Sequence, residues 1–152
     1  MDSKDVINTL NNLIETCKDG EYGFRTSAEH AQSSQIKELF IARAQECREA
    51  AAELQTVVVQ LGGKAETDGS ATGTLHRGWV AVKATLAGKS DTSMLEEAER
   101  GEDAALEHYR EALKEERLPA EARALVEQQY RGAKRNHDQI RNLRDQARAS
   151  SH

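Results

Sequence analysis

Glu21 and Glu102 each interrupt a run of apolar residues at helical spacing. Glu21 falls four residues after Cys17 and three before Phe24, and Glu102 falls four after Ala98 and three before Ala105. Gln129 and Asn136 likewise fall between Val126, Ala133 and Ile140. At roughly 100° per residue, Glu46 and His137 lie about 70–80° from the centres of their stripes, so they flank the core. Counting from helix midpoints places Glu21, Glu46, Glu102 and His137 in one layer, about 3–6 Å from the middle at a rise of about 1.5 Å per residue. Carboxylates share such a layer only if a proton, a cation or a metal relieves their repulsion and desolvation.

One chemistry of this kind is a carboxylate-bridged pair of iron or manganese ions. It takes a Glu from each of two helices and Glu-x-x-His from each of the other two. Glu21, Glu46, Glu102 and His137 are the candidate metal ligands, and ferroxidase or peroxide-type activity would follow from them. Both paired motifs are incomplete: Glu46-x-x-Glu49 lacks its His, and Lys134-x-x-His137 has Lys where Glu is required. The competing reading is a hydrogen-bonded polar layer of Glu21, Glu46, Glu102, Gln129, Asn136 and His137, with Arg25 or Arg43 near enough to satisfy a glutamate. The broken motifs favour this second reading, which expects no catalytic residue and no cofactor. On it, Glu102→Gln is tolerated or stabilising, because removing a charge relieves repulsion. A small-ligand pocket at the same depth is a third possibility.

Other side chains offer less. His30, His76, His108 and His152 have no partners at ligand spacing. Tyr109 continues the apolar stripe of its helix, and Trp79 with Val82 and Leu86 fits a short helix pinned to a larger body. No Ser-His-Asp, Cys-His or phosphate-loop spacing occurs.

The elements that must position these residues are long helices. Apolar intervals of three and four mark amphipathic helices over about 3–31, 35–61, 92–117 and 120–147, with a short one over about 74–87. Ser34 reads as the N-cap of the second, Gly62-Gly63 as its C-terminal stop, and Asp91 or Thr92 as the cap of the third. Pro119 stands where a first-turn proline belongs. Short turns make antiparallel hairpins of helices one and two and of helices three and four. About 30 residues between the hairpins are enough to run the length of the body. The expected path is up, down, long crossover, down, up, in a single all-α bundle over residues 1–149 with a frayed tail at 150–152. Charge supports the second hairpin: residues 92–116 hold nine acids and three bases, and residues 120–148 hold four acids and seven bases.

Composition agrees. The 152 residues include 22 Ala and 13 Leu against 12 Val plus Ile, which favours helices over strands. No apolar run exceeds four residues, so no membrane span is expected, and a net charge of -5 argues against nucleic acid and anionic membrane. Two Cys suit reduced thiols in a cytoplasm. A homodimer or other homo-oligomer is the default assembly.

The stretches Lys18-Asp-Gly-Glu-Tyr-Gly-Phe24, His76-Arg-Gly-Trp79, Glu99-Arg-Gly-Glu-Asp-Ala-Ala105 and Asn136-His-Asp-Gln-Ile140 occur in this order. They resemble a bacterial family of ferritin-like four-helix-bundle proteins of unknown function, most specifically in the Gly-Glu-Asp-Ala-Ala run. The resemblance covers nearly the whole chain. It implies a ferritin-like bundle with a crossover helix and a stress-associated setting, and it implies no activity. The leading expectation is a non-enzymatic structural or interaction module.

Overall fold

A computed structural model of the chain describes residues 3–66 and 90–150. They form four helices: α1 (Ser3–His30), α2 (Ser34–Gln60), α3 (Asp91–Leu113) and α4 (Ala120–Ser150). The helix expected over 74–87, with Trp79 and His76, lies outside the described residues, as do residues 151 and 152 of the expected tail.

Local chemistry sets the helix ends. α2 is capped by Ser33, not Ser34: its hydroxyl accepts from the Ile36 amide at 3.4 Å. At the other end Gly62 takes φ +85°, and the Gly63 and Gly62 amides return to the carbonyls of Val58 and Val59. That left-handed turn suits glycine because it has no Cβ. Gly63 is required for a second reason, since a Cβ there would stand 2.7 Å from the Ile7 side chain. Ser90, not Asp91 or Thr92, caps α3 by accepting from the Ser93 amide at 3.2 Å. Asp91 is used differently: its two oxygens accept from the backbone amides of Gln32 (2.9 Å) and Ser33 (2.7 Å). α3 stops at Leu113, four residues before the expected 117. The chain there turns to bury Leu118, and Arg123 donates to the carbonyls of Leu113 (3.0 Å) and Glu115 (2.6 Å), which satisfies acceptors that a continuing helix would use internally.

These contacts also fix the topology. Asp91 ties the start of α3 to the α1–α2 turn, and Arg117, just past its end, pairs with Asp5 at the opposite end of α1 at 2.9 Å. α3 therefore runs down, as α2 does, and α4 returns. The up-down-down-up order follows as the sequence requires. α1 packs on α2 and α3, and α4 on α3, while α2 barely meets α4.

The core falls into two apolar clusters. One, around Leu10, Leu13, Ile14, Leu54 and Val126, fills the end near the α3–α4 turn. The other, around Phe24, Phe40, Met94, Leu95 and Ile140, fills the opposite end, where the two rings sit 5.8 Å apart. Glu102 and Asn136 fall in sequence at the boundary between them. Among the described residues no helix is long and apolar enough to cross a membrane.

Candidate functional site

Glu102 is 2% exposed and lies at the middle of α3. Burying a carboxylate at this depth requires compensation, and an arginine supplies it. Arg43, from α2, donates through Nε to Oε2 (3.0 Å) and through an Nη to Oε1 (3.2 Å), a bidentate pair across the bundle. Asn136, from α4, donates to Oε2 at 2.9 Å. Burial works against the Arg43 charge, yet the charges and hydrogen bonds around it, Glu102's among them, leave its pKa above the ordinary arginine value. Burial keeps the neighbouring Cys47 thiol protonated at neutral pH, which leaves Glu102 as the partner that the guanidinium grips.

Beside this pair runs a second polar chain. The Cys17 sulfur lies 3.3 Å from the Tyr109 hydroxyl, which donates to Gln129 Oε1 at 2.9 Å. Gln129 in turn donates to the Ala50 carbonyl (3.2 Å) and to Glu53 (3.1 Å). Burial pushes the Cys17 thiol up to about 11, and pushes Cys47 and Tyr109 well above their usual values. Both thiols are free, buried and protonated at neutral pH, as small hydrophobes would be. A cavity of about 230 Å³ touches Arg43, Glu102, Cys17, Cys47, Tyr109 and Gln129. Its remaining walls come chiefly from α2 and α4, the pair of helices that scarcely touch.

The remaining candidates go elsewhere. Glu21 pairs with Arg25 at 2.7 Å and Lys18 at 3.9 Å on its own helix. The Glu46 side chain is 61% exposed and reaches only the outer edge of Arg43, at 3.5 Å. Its depth along the bundle matches the layer, but its angle around α2 turns it toward solvent. His137 is buried, yet it faces Glu99 and Asp103 and not Glu102. Glu21, Glu46, Glu102 and His137 therefore do not converge on one point. Nor do the core residues fit a carboxylate-bridged metal pair: both Glu102 oxygens are held by a guanidinium, which already supplies the positive charge. Gln129 belongs to the tyrosine chain, and Asn136 touches Glu102 directly. Of the other histidines, His108 bonds Thr16 Oγ1 at 2.8 Å and His30 the Thr26 carbonyl at 3.0 Å.

The sequence reading passed over the partners of His137. Its Nε2 lies 2.7 Å from Asp103 Oδ1 and 3.5 Å from Glu99 Oε2, while Nδ1 lies 3.1 Å from Asp138 Oδ1. A signal was present. Glu99 and Asp103 are four apart, hence on one helix face, where like charges repel unless a cation lies between them. The hydrogen bond with His137, joined by Lys134 and Arg141, holds Asp138 below the usual aspartate range.

Comparison with known proteins places this geometry. The family model of a domain of unknown function, DUF2383, matches residues 5–115. No curated protein matches the chain. Among solved structures, the chain is similar to a dodecameric thioferritin, the bacterioferritin-related protein of Bacteroides fragilis, with a TM-score of 0.77 and 16% identity over 99% of this chain and 91% of that one. It is also similar to a variant of Mycobacterium smegmatis Dps1, with a TM-score of 0.75 and 14% identity over 94% of this chain and 99% of that one. The likeness is one of fold: this is a ferritin-like four-helix bundle.

Proposed function

The chain belongs to the DUF2383 family, which has no assigned function, and from that premise we propose a non-enzymatic ferritin-like bundle that serves as a structural or interaction module. The observation that carries the reading is the buried Arg43–Glu102 pair. In a bundle of this architecture the core is where facing carboxylates hold metal. Here a guanidinium neutralises the central carboxylate, so the layer is complete without an ion. Protonated thiols and a tyrosine with a raised pKa surround it, and none is activated for nucleophilic or redox work.

The module works as a homo-oligomer in the cytoplasm, a homodimer being its smallest form. The dodecameric assembly named for the Bacteroides fragilis protein supports self-association, and two buried, unpaired thiols suit a reducing compartment. The alternative, ferroxidase or peroxide chemistry at a degenerate carboxylate site, requires Arg43 to leave Glu102. Aerobic iron(II) oxidation, followed by absorbance, separates the two. The module reading expects the rate of protein-free buffer. Accelerated oxidation that is abolished in Glu102→Gln would overturn it.

A further inference from the structure

The edge between α3 and α4 carries a second charge problem that the core does not solve. Three potential ligand atoms, one each from Glu99, Asp103 and His137, lie within 4.8 Å of one another. His137 is 8% exposed, and its Nε2 is buried without a hydrogen bond although Asp103 Oδ1 is only 2.7 Å away. At that distance the missing hydrogen bond means that the oxygen lies off the direction in which the ring would donate. The other nitrogen, Nδ1, faces Asp138 Oδ1 at 3.1 Å, an oxygen that accepts and so favours the tautomer with its proton on Nδ1. The Nε2 lone pair then points past the Asp103 oxygen, with that oxygen and Glu99 Oε2 beside it at 2.7 and 3.5 Å. Glu99 is similarly divided: Oε1 is held by Arg144, and Oε2 faces the ring at 3.5 Å.

We propose that Glu99 Oε2, Asp103 Oδ1 and His137 Nε2 form a mononuclear site for a divalent first-row transition ion on the α3–α4 edge, separate from the core layer. One imidazole and two carboxylates are the donor set that zinc, manganese and ferrous ions accept. Each neighbour has a part in such a site. Asp138 orients the ring from its far nitrogen, as a carboxylate behind a metal-bound histidine does. Arg144 fixes the rotation of the Glu99 carboxylate. The Asp103 side chain is 62% exposed, which leaves an approach from solvent and room for water to complete the coordination. With ligands on both helices, a bound ion would clamp α3 to α4.

The experiment uses the full chain stripped with chelator and then titrated with zinc chloride in a calorimeter. A parallel titration follows the histidine ring nitrogens by long-range ¹H–¹⁵N NMR. The expected result is one zinc per chain, with the resonance of one ring shifted at Nε2. Asp103→Asn and His137→Gln should each lower affinity by at least the roughly 10–100-fold that loss of an outer-shell partner costs, whereas Glu21→Gln should leave it unchanged. Asp103 is exposed enough that its variant tests the site even if His137→Gln fails to fold. Manganese chloride should selectively broaden amides near residues 99, 103 and 137. The site is overturned by a His137 ring that stays doubly protonated and indifferent to zinc, by binding retained in Asp103→Asn, or by broadening centred on another histidine. Binding centred on Glu102 would overturn the module reading as well, whereas absence of binding overturns this site alone.

Discussion

Replacing Arg43 with Met removes the cation and keeps most of the side-chain length. Its side chain is 9% exposed and that of Glu102 3%, so the change strands a carboxylate that has little water to turn to. Two charge-assisted hydrogen bonds disappear, each worth about 1.5–3 kcal/mol. Breaking a buried pair from one side costs about 3–5 kcal/mol in general. The bond from Asn136 survives, and the adjoining cavity of about 230 Å³ admits some water, so the lower end of that range is expected. A loss of about 3 kcal/mol lowers the midpoint of thermal unfolding by roughly 6–12 °C for a domain of this size. Urea unfolding followed by circular dichroism measures the difference directly. The double variant Arg43→Met with Glu102→Leu should recover most of the loss, because a well-packed apolar replacement of both partners is often neutral or better. The geometry also reverses the expectation for Glu102→Gln. Arg43, not a second carboxylate, is what Glu102 faces, so the neutral amide costs about 1–3 kcal/mol and does not stabilise. The reasoning fails if Arg43→Met costs less than about 1 kcal/mol, or if the double variant is no more stable than the single one.

Because burial raises Cys17 to about 11 while an unfolded thiol titrates at ~8.5, the unfolded state releases its proton first, and stability should fall as pH rises between those values; unfolding midpoints across that window check this, with a slope that is shallower in Cys17→Ala but not abolished, because burial raises Cys47 and Tyr109 as well, and native thiol labelling at neutral pH should be slow at both cysteines. Gly63→Ala places a methyl against Ile7, whose nearest atom would be 2.7 Å away, and should cost about 1–3 kcal/mol in urea unfolding; a variant as stable as the parent would show that α1 gives way there. Asp91→Ala frees the amides of Gln32 and Ser33 and should cost about 0.5–2 kcal/mol; faster amide exchange at 32 and 33 would localise the loss to the α1–α2 turn, and unchanged exchange would count against the tie.

Periodicity carried the sequence reading a long way for particular reasons. Four apolar stripes and two unequal classes of connection leave few topologies, and the path through α1, α2, α3 and α4 is among them. The same stripes exposed Glu102 and Asn136, because a polar residue on an apolar line is a visible anomaly. Arg43, three residues after Phe40 and four before Cys47, is visible in the same way as a partner for a layer glutamate, but spacing alone does not say that it faces Glu102 while Arg25 takes Glu21. Glu46 shows the limit of counting depth alone. Two residues at equal height share a site only if their angles around the helices converge, and small angular errors become the difference between core and solvent. Glu99 and Asp103 were hidden for the opposite reason: acids beside an apolar stripe look like any solvated face until the facing helix supplies a buried histidine. The helix-end errors, at Ser33, Ser90 and Leu113, turn on which of two adjacent polar groups reaches an amide, and on Leu118 leaving the helix for the core.

Arg43 supplies in this bundle the charge that a metal pair supplies in a carboxylate-bridged site. Electron paramagnetic resonance of the full chain, titrated with manganese(II) at low temperature, tests it most directly. The expected result is an isolated-ion spectrum saturating at no more than one ion per chain. An exchange-coupled pair, forming at two ions per chain, would mean that Glu102 releases Arg43 to take metal, and would contradict it.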